Sequence, residues 1–181
     1  MIITLSGEPG SGKSTCAKSL ASIFGLKHYS TGDLMRQIAS ERNMTLEQLS
    51  QLAEMDASLD KELDERQIRL GKTEDQFIID GRLAAHFIPH AIKVFLTADL
   101  EERARRILHA NRTMESFSSL EKAKEKLVHR QESEIKRYLA WYDFNPFELS
   151  TYDIVFDSSH TSIDEMVEKV RKKIMGKLCL T

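Results

Sequence analysis

The chain of 181 residues is poor in cysteine, proline and tryptophan, with 2, 3 and 1 of them. Cys16 and Cys179 stand near opposite ends, so a structural disulfide is not expected and a four-cysteine zinc site is impossible. Both read as packing residues. With 3 prolines and 8 glycines there is no Pro/Gly linker, internal repeat or low-complexity stretch, and one domain spanning 1–181 is expected. The formal net charge of −2 argues against a surface that coats nucleic acid. Any positive charge needed for phosphate must therefore be local. No apolar run approaches the ~20 residues that span a bilayer. The chain opens without a basic flank and runs directly into a strand, so no signal peptide is expected and a cytoplasmic location is. No apolar stripe remains beyond what a core needs, which makes a monomer the default.

What the chain has is Gly7-Glu8-Pro9-Gly10-Ser11-Gly12-Lys13-Ser14, which fits the phosphate-cradling pattern GxxxxGK[ST] at every fixed position. It follows the β-prone Ile2-Ile3-Thr4-Leu5 and precedes Ala17, Leu20, Ala21 and Phe24 at helical spacing. Strand, glycine loop and helix form the context the motif requires. Glycines let backbone N–H groups turn inward, and the helix that follows adds its positive end. Gly7 through Thr15 are thus the expected triphosphate contacts. Lys13 would reach the terminal phosphates, and the Ser14 hydroxyl would ligate Mg²⁺.

Further on, short β-prone runs alternate with amphipathic stretches. Lys27-His28-Tyr29, Gln76 to Ile79, Ile92 to Leu96 and Ile154 to Phe156 join Ile2 to Leu5 as five strands. That alternation predicts an α/β fold with a five-stranded parallel sheet covered by helices on both faces. Thr45-x-x-Gln48 and Ser162-x-x-Glu165 read as capping boxes. His86 and His90 have the spacing of a helical metal pair, but Pro89 breaks the helix such a pair needs. His28, His109, His129 and His160 read as packing or surface residues.

Two gaps between strands, 30–75 and 97–151, are far longer than a crossover needs, and both are charged and helical in pattern. Ligands of such sheets bind at the carboxyl ends of the strands, so both gaps read as covers over the phosphates. After the second strand, Thr31 or Asp33 can cap a helix, with Arg36 one turn on. Asp80-Gly81-Arg82 follows the third strand directly, where an acid can hold the water shell of Mg²⁺. Arg130, Glu134 and Arg137 fall along one helix face, and Glu134 can hold both arginines by i,i±3/4 pairing.

Together these residues resemble the nucleoside monophosphate kinases, and among them the cytidylate kinases. The likeness covers roughly residues 1 to 175. Ser30-Thr31-Gly32-Asp33-x-x-Arg36 is shared by several such kinases, where the arginine binds the acceptor's phosphate. Asp80-Gly81-Arg82 is sharper, because adenylate kinases continue Asp-Gly with Phe-Pro-Arg. Glu102-Arg103-Ala104-Arg105-Arg106 looks like the segment whose arginine, here Arg106, packs on the ATP adenine. Arg130-x-x-x-Glu134-x-x-Arg137 is similar to the lid pattern. Arg82-Leu83-Ala84 and the run from Arg137 to Tyr142 look most like the compact archaeal-type enzymes.

The resemblance implies helical acceptor-binding (30–75) and lid (107–137) segments, with ATP and CMP or dCMP as substrates. It also implies Mg²⁺ held by Ser14 and, through water, by Asp33 and Asp80. Lys13, Arg36, Arg82, Arg130 and Arg137 would carry the transfer. The bacterial branch has an aspartate where Leu83 stands, and its large insertion is replaced here by 43–74. In that segment Asp56, Asp60 and Asp64 read as an ordinary charged face, with Arg66 the candidate for an acceptor contact. Tyr138, Trp141 and Tyr142 read as packing of the lid helix rather than base stacking. Other acceptors (AMP, UMP, or a neutral metabolite as in shikimate kinase) stay open, although arginines on both covers favour a phosphorylated one. A guanine-reading switch is disfavoured, since no Asn-Lys-x-Asp occurs.

Overall fold

The computed structural model describes residues 1–45, 48–49, 52, 58–109 and 119–179; Asp56 lies outside them. Among the described residues there are five strands: β1 (Ile2–Gly7), β2 (Lys27–Ser30), β3 (Phe77–Asp80), β4 (Ile92–Thr97) and β5 (Ile154–Asp157). All pair in parallel, in the order β2-β3-β1-β4-β5. β3 is buried at every residue, as expected of a strand covered on both faces. The chain leaves β1 toward one edge of the sheet and returns to the other side for β4. The order therefore reverses beside β1, and the crevice at that point lies beyond the carboxyl ends of β1, β3 and β4.

Helix α1 (Lys13–Phe24) starts with no side-chain cap, because Gly12 at φ 88° occupies the capping position. Gly25, also left-handed, closes it by donating to Ala21 and Ser22. Buried Cys16, Ala17 and Leu20 of α1 meet Leu5 and Val94 of the sheet on one face. Met166, Val170 and Ile174 of α7 (Ile163–Leu178) complete that core. On the opposite face Leu34 of α2 (Thr31–Glu41) joins Phe77, Ile79, Ala84 and Ile88. Both predicted capping positions act as such. Thr45 and Gln48 bond reciprocally, and the Ser162 hydroxyl accepts from the Glu165 N–H at 3.2 Å.

The two long gaps are mostly helical where described. α3 (Ser58–Thr73) follows α2, and α4 (Ala84–Phe87) is a single turn after β3. α4 ends before Pro89, so His86 and His90 share no helix. Among the described residues no cluster of three potential metal-binding side chains occurs. Between β4 and β5 lie α5 (Leu100–His109) and the long α6 (Leu120–Tyr142). Each cover has a small core of its own. Ile38, Ala39, Leu49 and Leu59 form one, and Ala104, Ile107, Ala123 and Leu127 the other. Among the described residues no helix is long and apolar enough to cross a membrane.

Candidate active site

The β1–α1 loop occupies the crevice, and its tightness explains its glycines. A Cβ on Gly7, at φ 155°, would lie 2.4 Å from the Leu96 carbonyl oxygen, and one on Gly10 2.7 Å from that of Arg103. Only glycine allows the loop to lie this close to β4 and α5. Gly10, Gly12, Lys13, Ser14 and Thr15 line a cavity of about 460 Å³, walled also by Arg106, Ile107 and Met166. Gly7, Glu8, Pro9 and Ser11 do not face it. The Glu8 side chain turns under the loop, accepting from the Thr97 hydroxyl at 2.6 Å and the Ala98 N–H at 3.1 Å, with Arg103 3.4 Å away. It anchors the loop to the end of β4. Its appearance among the variable positions of the motif gave no hint of that role.

Arg106 uses all three guanidinium nitrogens in its own plane. Nε donates to Glu102 at 2.9 Å, and the other two donate to the Ser158 hydroxyl and carbonyl at 3.0 and 2.7 Å. Its flat faces are left for stacking at the cavity wall.

Lys13 and Ser14 also line a second, larger cavity of about 1100 Å³ on the other side of the loop. Here α2 contributes Arg36, the end of β3 Arg82, and α6 both Arg130 and Arg137, four cations drawn from remote parts of the sequence. Gly81 makes the approach of α2 possible, since a Cβ there would meet Thr31 Cγ2 at 2.5 Å. Burial, and then the charge of Arg82, hold the Lys13 ammonium well below lysine's ordinary value. An anion arriving in either cavity would act in the opposite direction and favour the ammonium.

Ser14 donates to Asp80 Oδ2 at 2.8 Å, and the other Asp80 oxygen lies 2.7 Å from His28 Nε2. These are two hard oxygen donors, one on a buried carboxylate, at the junction of the cavities. They fit Mg²⁺ as the motif anticipates. His28 was missed by sequence reasoning. Only the insertion of β3 beside β2 brings it to Asp80. Asp33 lines the same cavity and takes hydrogen bonds from Ser30 and Arg36. The cap of α2 is neither Thr31 nor Asp33 but Ser30, whose hydroxyl accepts from the Asp33 N–H at 3.0 Å. Ser30 has the extended backbone a cap needs, whereas Thr31 is already helical.

Glu134 corrects a second expectation. It accepts from Arg130 Nε at 3.1 Å, but its other partner is Arg82 Nε at 2.7 Å, across the cavity, and not Arg137. Arg82 donates further to the Gly7 carbonyl at 2.6 Å. Burial raises the Glu134 carboxyl, but the two arginines outweigh it and hold the group below the usual glutamate range. Arg137 instead donates to the Tyr138 hydroxyl at 3.0 Å and lies over the Tyr138 and Trp141 rings at 4.9 and 5.8 Å.

In 43–74 the expectation reverses as well. Arg66 binds Glu41 and Glu62, tying α3 to α2, and does not line the cavity, whereas Asp60 does. Asp64 accepts from the Tyr142 hydroxyl, joining α3 to the end of α6.

The chain has relatives among known proteins. The sequence model of the Cytidylate kinase-like family matches residues 2–160. The chain is similar to a protein named cytidylate kinase from Methanococcoides burtonii, 36% identical over 174 residues that cover 96% of this chain and 97% of the other. One of the same name from Methanopyrus kandleri is 39% identical, with 91% and 88% covered. Among solved structures, a shikimate kinase from Bacteroides thetaiotaomicron superposes with a TM-score of 0.67 over 97% of this chain and 98% of that one. At 14% identity that likeness is one of fold alone. A family match over residues 2–160 and relatives 36 and 39% identical along most of the chain decide the matter: the chain belongs to the cytidylate kinase-like family.

Proposed function

We propose that the protein transfers the γ-phosphoryl group of ATP to the phosphate of CMP or dCMP, giving ADP and CDP or dCDP. The observation that carries this reading is the position of Lys13 and Ser14, which line both cavities at once. One cavity has the phosphate loop and a flat guanidinium, and the other has four arginines. ATP takes the first, with its triphosphate on the N–H groups of the loop and its adenine on Arg106. The acceptor takes the second, its phosphate gripped by Arg36 and Arg82.

An oxygen of the acceptor phosphate attacks the γ-phosphorus as the bond to the β–γ bridging oxygen breaks, and ADP leaves with that electron pair. The attacking oxygen is already anionic, so no strong general base is needed. Positioning and neutralisation of charge make up the task. Lys13 neutralises the group in transit from the loop side. Arg130 and Arg137, both on α6, neutralise it from the lid side and exclude water that would otherwise hydrolyse ATP. Ser14, with Asp33 and Asp80 through water, would hold Mg²⁺, which supplies charge stabilisation to the donor phosphates. A cytoplasmic monomer suffices for this chemistry.

The test is a panel of CMP, dCMP, UMP, AMP and GMP assayed with ATP and Mg²⁺ by release of ADP. CMP or dCMP is expected to be best, UMP weaker and the purines poor, because a purine leaves the polar groups of a cytosine site unpaired. Faster turnover of AMP than of CMP would overturn the acceptor assignment. ADP release that ignores every acceptor would overturn the kinase reading.

A further inference from the structure

The acceptor-side cavity presents four carboxylates: Asp33, Asp60, Asp80 and Glu134. Three are committed. Asp33 accepts from Ser30 and Arg36, Asp80 is held by Ser14 and His28, and Glu134 is shared by Arg82 and Arg130. Asp60 has no hydrogen-bond or ion-pair partner among the described residues, and its charge is felt only at a distance, by Arg137, Asp64 and Tyr142. It stands on the first turn of α3, and Leu63, three residues on, lines the same cavity, as do Met35 and Trp141. The cavity is therefore mixed in character. Beside its cations it thus offers apolar and aromatic wall groups and one carboxylate that no other described side chain holds.

A flat heterocycle seated on that apolar wall would meet the Asp60 carboxylate with its edge. Cytosine carries an amino group at the 4-position, whereas uracil has a carbonyl oxygen there. A carboxylate only accepts hydrogen bonds at neutral pH, so it attracts the first and repels the second. We propose that Asp60 is the specificity-determining residue that accepts a hydrogen bond from the 4-amino group of the acceptor's cytosine. The assignment rests on the kinase reading above and adds the atom pair that separates CMP from UMP.

The experiment compares kcat/KM for CMP, dCMP and UMP in the wild-type protein, Asp60→Asn and Asp60→Ala. A charged hydrogen bond in a site built around it is worth at least about tenfold in discrimination. In Asp60→Asn the CMP-to-UMP ratio should fall by about tenfold or more. The amide can donate to the uracil oxygen, so UMP itself should improve, while the KM for ATP and the CMP-to-dCMP ratio stay unchanged. In Asp60→Ala the ratio should fall without a gain for UMP. Ratios within one variant are insensitive to a general loss of folded protein, so a structural role alone would not move them.

An unchanged CMP-to-UMP ratio in both variants, with CMP still the wild-type substrate, would overturn the assignment and leave the kinase reading standing. A shift confined to the CMP-to-dCMP ratio would also overturn it, placing the carboxylate on the ribose. Wild-type protein that phosphorylates neither pyrimidine would overturn both.

Discussion

The two cavities on either side of Lys13 are built by different means. The smaller is shaped by backbone, with left-handed glycines packed against β4 and α5 and a carboxylate, Glu8, pinning the loop from beneath. Most of its phosphate-facing groups are consecutive in sequence. The larger is shaped by charge pairing, with Arg82, Arg130 and Glu134 brought together from the end of β3 and the middle of α6. A cradle made of backbone is preorganised and needs no partner to hold it. A set of arginines would repel one another without an acid among them, and that acid must yield to, or share with, an arriving phosphate. The donor side is thus fixed by conformation and the acceptor side by electrostatics.

The sharpest way to break this comparison is at the residue common to both sides. On the proposed mechanism Lys13 neutralises charge in a site shielded from water, where such contacts are worth roughly 3–4 kcal/mol. Lys13→Ala should lower turnover by about a hundred- to a thousandfold with an unchanged circular dichroism spectrum. Turnover near wild type would remove Lys13 from the mechanism.

Glu134→Gln tests the acceptor side alone. It keeps the shape of the side chain but removes the charge that aligns Arg82 and Arg130. Steady-state kinetics should show the KM for CMP raised by about tenfold, in line with the loss of a charge-assisted pair, and the KM for ATP unmoved. Equal damage to both constants would mean that Glu134 merely props the fold. Its depressed carboxyl also has a pH signature. The stability it contributes is present above the ordinary glutamate range and is lost as pH falls through the lower value of the folded state. Thermal melts of the wild type should fall more steeply than those of Glu134→Gln below about pH 4.

The smallest effect belongs to the second tether of α6, which has the opposite sign. Burial pushes the Asp64 carboxyl up to about 6, although the hydrogen bond from Tyr142 pulls it down. Its contribution to stability is full below the ordinary aspartate range and is lost as pH rises through about 6. Asp64→Asn should abolish that loss, making the variant more stable than wild type at pH 7 by on the order of 1 kcal/mol once solvent screening is allowed for. Melting temperatures from pH 4 to 8 would show it. Parallel curves for the two proteins would mean that Asp64 does not titrate in this window.

The same contrast explains how much could be read beforehand. The strands, the loop and the capping pairs depend on neighbours within a few residues, and each appears where its pattern puts it. Arg36, Arg82, Arg130 and Arg137 were legible as a set because they follow strand ends or share a helix face. Their partners were not. Glu134 looked to Arg137 by helical spacing yet binds Arg82, 52 residues away in sequence. Arg66 looked available yet is consumed by Glu41 and Glu62.

The sequence by itself determined the phosphate loop, the parallel sheet and the supply of arginines, since backbone conformation and hydrophobic periodicity are local properties of the chain. Tertiary structure alone decided which charges remain uncommitted. His28 reaches Asp80 only because β3 lies between β1 and β2. Among the described residues Asp60 is left without a partner, while Glu134 and Asp80 are held by groups from other elements. Whether a charge is committed depends on distances between segments remote in sequence, and folding sets those distances.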